Sequence, residues 1–165
     1  DRFLFKIVVG SNSADVLKRI VLNRELGAVP VVAPVLSREE FNGLLALVRR
    51  VHLPEVVADY IARLVHGSQP GVSAASAGVR FGASPRAALA LAAAGRARAI
   101  RHGRPHLSFE DVQAVARSVL GHRIILEHTA RLDGSTPQGV VEKLLAEIPA
   151  QPKPLPGTLR SAKIA

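Results

Sequence analysis

The chain of 165 residues is 48% hydrophobic and 21% charged, the balance of a folded domain with one core rather than of a disordered segment. Its formal charge of +9 points to an anionic partner, yet its arginines are scattered and no block of five or six adjacent cations marks a basic tail. The absence of cysteine excludes disulfides and thiolate metal sites, and no run of roughly 18 apolar residues offers a membrane span.

In chain order, RFLFKIVVG (residues 2–10) predicts a β-strand with Phe3, Phe5, Ile7 and Val9 on one face and Leu4 and Val8 on the other. A strand apolar on both faces belongs in a covered sheet, and nothing downstream supplies one. This strand, the lack of any methionine and the opening residue Asp1 lead to an expectation that the chain is part of a longer protein. SNSADVLKRIVLNREL then predicts a helix capped by Ser13, and GAVPVVAP, with Pro30 and Pro34, an extended linker. Ser37 and Glu40 form a capping box for a second helix through Leu44, Leu47 and Val48. A third starts with Pro54 at its first position and buries Val57, Tyr60, Ile61 and Leu64.

Residues 67–81 are rich in Gly, Ser and Ala and are expected to form a mobile loop, too poor in large side chains to pack. A long alanine-rich helix follows, capped by Ser84 with Pro85 at its first position. Ser108 and Asp111 open a fifth helix with Phe109, Val112, Val115 and Val119 inward. Thr136-Pro137 opens a sixth, burying Val140, Val141, Leu144, Leu145 and Ile148. The expected fold is mainly α: a small helical bundle with one N-terminal strand. Its segments are the strand (1–10), a connecting helix and linker (11–36), the helical domain (37–149) and a proline-bearing tail expected to be disordered (150–165).

No G-x-x-x-x-G-K-[ST] phosphate loop and no G-x-S-x-G elbow occurs. His102 and His106 have a chelating interval, but Gly103 and Pro105 break any helix that would align them, so no metal is expected. Arg86 is the sharper signal. It stands in a first helical turn, where the dipole disfavours a cation by roughly 0.3–1 kcal/mol. The cap leaves backbone N–H groups there for an anion, and a guanidinium adds bidentate donors worth roughly 1.5–3 kcal/mol per charged bond. An internal carboxylate partner is the alternative. Arg96, Arg98 and Arg101 lie too far along the helix to share one phosphate and read as a solvated face or a partner contact. Arg2, beside the strand, is either an ordinary surface charge or a group that reaches a ligand or neighbouring subunit.

Five stretches occur in order: Asp1-Arg2-Phe3-Leu4-Phe5-Lys6-Ile7, Leu53-Pro54-Glu55-Val56-Val57-Ala58-Asp59-Tyr60-Ile61, Gly82-Ala83-Ser84-Pro85-Arg86-Ala87, Glu110-Asp111-Val112-Gln113 and His122-Arg123-Ile124-Ile125-Leu126. Together they resemble successive motifs of the MoxR family of AAA+ ATPases, from residue 1 to about 149. The resemblance implies that the opening segment closes an α/β nucleotide-binding core and that the helical remainder is its C-terminal lid. It makes Arg86 the second-sensor arginine, with Ser84 and Ala83 beside it at the nucleotide, reaching the γ-phosphate of ATP whose Mg is held by the core. It makes Arg2 an arginine finger acting on an adjacent subunit's nucleotide. Further implied are a cytoplasmic ring, a hexamer, chaperone-like remodelling, and partners with von Willebrand factor A domains. By this reading the chain alone is not catalytically competent, and neither membrane nor nucleic acid is a partner. The rival readings are a helical nucleic-acid-binding module, favoured by the charge but short of base-stacking residues (one Tyr, no Trp), and a structural adaptor with no ATP role.

Overall fold

Hydroxyl side chains mark the starts of the principal helices in the computed structural model, which describes residues 2–151. The elements are α1 (Ala14–Asn23), α2 (Arg38–Arg50), α3 (Glu55–Gly67), a single 3₁₀ turn (Ala74–Ser76), β1 (Val79–Phe81), α4 (Pro85–Arg101), α5 (Phe109–Leu120), β2 (Ile125–Leu126), α6 (His128–Leu132) and α7 (Pro137–Glu147). Ser13, Ser37, Ser84 and Thr136 each accept a first-turn N–H through their side chains, and Glu40 completes the box at Ser37. Pro54 sits one position earlier than expected, as the extended residue preceding α3.

The core lies among α3, α4, α5 and α7. Tyr60, Leu64, Leu91, Leu107, Val112, Leu120 and Leu144 are its largest apolar side chains. On α4 the buried stripe is Ala87, Ala90, Leu91, Ala94, Gly95 and Ala99, so the helix meets its neighbours through small residues. A Cβ on Gly95 would stand 2.5 Å from Leu107 Cδ1, which is why the backbone can come this near. Helices α1 and α2 bury no residue fully, and α2 rests against α4 outside the main cluster.

Three expectations are corrected. Residues 2–10 run without regular structure and form no strand: among the described residues their backbone has no ladder partner. Phe3, Ile7, Val8 and Val9 accordingly remain largely exposed. Residues 67–81 are not a mobile loop. Their small side chains are what lets the segment pack: Ala75, Ser76 and Val79 are buried, Ser73 caps the 3₁₀ turn, and Glu147 accepts from the N–H groups of Ala74 (3.1 Å) and Ala75 (2.9 Å). Lastly, β1 and β2 form an antiparallel two-stranded sheet that alternation over two or three residues could not announce. The beginning of the tail is held by Arg63, which donates to the carbonyls of Pro149 and Ala150; the expectation of disorder for the rest of it lies outside the described residues.

Candidate functional site

The turn 82–84 that places Arg86 is built by close backbone packing. A Cβ on Gly82 would lie 2.5 Å from the carbonyl oxygen of Ser68, so only glycine fits there. Ala83 is buried, its N–H donated to Ser68 Oγ at 2.9 Å and its carbonyl accepting from Gln69 Nε2 at 2.8 Å. Ser84 then caps α4, its Oγ accepting from Arg86 N at 3.3 Å while its carbonyl accepts from Ala87 N at 2.8 Å. With Pro85 lacking a donor, the first-turn N–H groups expected to await an anion are engaged within the turn. Binding at this end of α4 therefore rests on side chains.

Those side chains converge. Arg86 is exposed and, among the described residues, forms no ion pair with an internal carboxylate. It lines an open groove of about 560 Å³ together with Arg2 and Arg123, over a floor of Leu4, Leu89, Ala90 and Ala93. Three guanidiniums and, among the described residues, no carboxylate line this groove, an arrangement that suits a multiply charged oxyanion. Its volume falls within the roughly 300–1,000 Å³ of small-molecule sites. Ala83 and Ser84 are not among its lining residues; their contribution is to hold the turn.

Arg123 is the functional candidate that sequence reasoning missed. Only 7% of it is exposed, and its guanidinium donates to the carbonyls of Phe3 (2.7 Å), Leu4 (3.2 Å) and Val119. Burial lowers its pKa from the ordinary arginine value. Next to it His122 Nε2 lies 3.0 Å from the Phe3 carbonyl, a contact in which the ring nitrogen must be the donor. The available signal was an arginine just past a helix end, followed by the apolar run Ile124, Ile125 and Leu126.

Arg98 corrects the expectation of a solvated arginine face. Its Nε lies 3.4 Å from Asp111 Oδ1, and Arg104 Nη2 lies 2.6 Å from the same oxygen. Asp111 is fully buried; Ser108 donates to its Oδ2 from both N and Oγ at 3.1 Å. Burial by itself would raise this carboxyl's pKa, but the hydrogen bonds from Arg104 and Ser108 outweigh it and hold the group below the usual carboxylate range. This network joins the end of α4 to the start of α5. Arg101 is exposed, as are His102 and His106, and no metal-ligand cluster occurs among the described residues.

A helical unit of this kind, ordered around a capped arginine-bearing helix, is an AAA lid: residues 72–144 match the family model of the AAA lid domain. Over 153 residues the chain is 33% identical to the chaperone MoxR1 of Mycobacterium tuberculosis, covering 90% of this chain and 40% of that protein. Over 149 residues it is 29% identical to the uncharacterized protein YeaC of Bacillus subtilis, covering 90% of this chain and 45% of that one. The crystal structure of a candidate ATPase from Cytophaga hutchinsonii superposes with a TM-score of 0.79 at 27% identity, across 90% of this chain and 46% of the other. The chain thus carries an AAA lid domain and is homologous to the chaperone MoxR1 over most of its own length. It spans less than half the length of the curated relatives it matches. Among the described residues no helix is long and apolar enough to cross a membrane.

Proposed function

We propose that this lid closes over ATP held by an α/β core of the same protein and that Arg86 meets the γ-phosphate as a second-sensor arginine. The observation carrying this reading is the groove in which Arg86, free of any carboxylate partner among the described residues, stands beside Arg2 and Arg123. The fit to a polyphosphate is chemical: planar guanidinium cations with bidentate donors, and among the described residues no acidic side chain lining the groove to repel the ligand. ATP would supply the reacting γ-phosphoryl group, with Mg held by the core neutralising its charge. Arg86 contributes charge and orientation, not proton transfer.

Arg2 is the second cation of the proposal. Its place on the same groove as Arg86 favours a role toward the same chain's nucleotide, whereas the resemblance implies an arginine finger on a neighbour's. In a ring, which we take to be a hexamer, lid rotation on hydrolysis would become movement between subunits and remodelling of client proteins, those with von Willebrand factor A domains included. The test is Arg86→Ala in the full-length protein. ATP turnover should fall more than about ten-fold, the rate equivalent of one charge-assisted bond of about 1.5 kcal/mol made in the transition state. Unchanged turnover with the lid still folded refutes the assignment.

A further inference from the structure

Residues 3–6 are attached to the lid mainly through polar backbone contacts. Phe3 and Ile7 remain 73% and 76% exposed, and Leu4 and Phe5 stay partly so, which leaves little apolar burial to hold the segment in place. Its backbone, by contrast, is captured at several points within residues 118–123. Arg123 Nη2 donates to the Phe3 carbonyl and Nη1 to that of Leu4, His122 Nε2 donates to Phe3 as well, and Lys6 N donates to the Ser118 carbonyl at 3.0 Å. Nη1 also donates to Val119, one of the last carbonyls of α5, where the helix dipole favours a cation. The two carbonyls sit on consecutive residues, and the planar fork of arginine reaches both at once; the single ammonium of a lysine lacks that span.

We propose that Arg123 is a positioning residue: by clamping the backbone of Phe3 and Leu4 to the end of α5, it fixes where Arg2 stands across the groove from Arg86. The clamp rests on the reading of the groove as a phosphate site, which it deepens. Loosening it lets the segment carrying Arg2 swing while the helical core, whose packing does not involve residues 2–10, stays folded.

The test uses the full-length protein in a cysteine-free background, to which this chain contributes no cysteine of its own. Spin labels are attached through Ile7→Cys and Ala114→Cys, both exposed positions. Arg123→Gln and Arg123→Lys should each broaden the distance distribution between the labels and lower kcat by about tenfold or more, with KM for ATP changed far less, since misplacement by about 1 Å can cost that much. His122→Ala, which removes one contact to the same carbonyl, should broaden it to a lesser degree and keeps the test open if an Arg123 variant fails to fold. A distribution as narrow as the parent's in the folded variants overturns the proposal. So does Arg123→Lys behaving as the parent in both readouts, or a rise in KM at constant kcat, which marks a direct phosphate ligand. Arg86→Ala separates the two readings: it should lower kcat with the label distance unaltered, and if its turnover is normal while Arg123→Gln still broadens the distribution, the groove reading fails and the clamp stands.

Discussion

Replacing Asp111 by Asn changes one heavy atom in a fully buried group with several charged and polar partners. The carboxylate takes a 2.6 Å bond from Arg104 and two 3.1 Å bonds from Ser108, and faces Arg98 at 3.4 Å. Asparagine keeps the shape and one acceptor oxygen. Bonds worth roughly 1.5–3 kcal/mol when charged fall to roughly 0.5–1.5 kcal/mol when neutral, and the new amide N–H₂ group opposes the Ser108 donors. Breaking a fully buried pair costs about 3–5 kcal/mol, but the side chains of Arg98 and Arg104 are 35% and 31% exposed, so water recovers part of their solvation. We expect a loss of about 2–3 kcal/mol, which for a core of this size lowers Tm by roughly 10 °C. The pH dependence gives an independent check. Because the folded pKa is depressed, the contribution of Asp111 is present above its unfolded value of about 3.9 and disappears as pH falls through the folded value. Thermal melts of parent and Asp111→Asn chains from pH 7 downward should therefore converge in acid. A variant within about 1 °C of the parent at pH 7, against the loss estimated above, would show that the network contributes nothing net, and a deficit that persists undiminished in acid would show that the ionised carboxylate is not its source.

Mixing Arg2→Ala with Arg86→Ala subunits should yield no recovery of ATP turnover if both arginines serve the same chain's nucleotide, whereas an arginine finger acting between subunits would regenerate active sites. Gly82→Ala places a methyl against backbone atoms of Ser68 and Gln69 at 2.5 to 2.9 Å, so it should cost about 1–3 kcal/mol in urea melts. Gly43→Ala, inside α2 with nothing within 4 Å, should instead stabilise that helix by about 0.5–1 kcal/mol. Glu147→Gln weakens the acceptor at the 3₁₀ turn, and amide exchange at Ala74 and Ala75 should accelerate by about tenfold, equivalent to about 1.4 kcal/mol; unaltered protection would mean that the turn is held by its own packing.

Much of the scaffold was legible because its signals are local. A cap acts over three or four residues, so Ser37 with Glu40, Ser84 with Pro85 and Thr136 with Pro137 announced their helices directly. Periodicity likewise named Val57, Tyr60, Ile61 and Leu64 as one buried face, and the ordered motifs carried the MoxR resemblance with Arg86 in a first turn. The same local rules misjudged residues 67–81, where lack of bulk looked like lack of packing; there small side chains permit contact with the end of α3 and with Glu147, which is distant in sequence.

What only tertiary structure decided depends on partners far apart along the chain. Arg123 meets carbonyls about 119 residues away, Arg98 finds Asp111 on the neighbouring helix, and Arg2 comes to share a groove with Arg86. A residue type states which bonds a side chain can make, but not which partner survives the loss of chain entropy on folding. For the arginines of this protein that choice separates the guanidinium that clamps the backbone from those that pair with a buried carboxylate and those left facing an open groove.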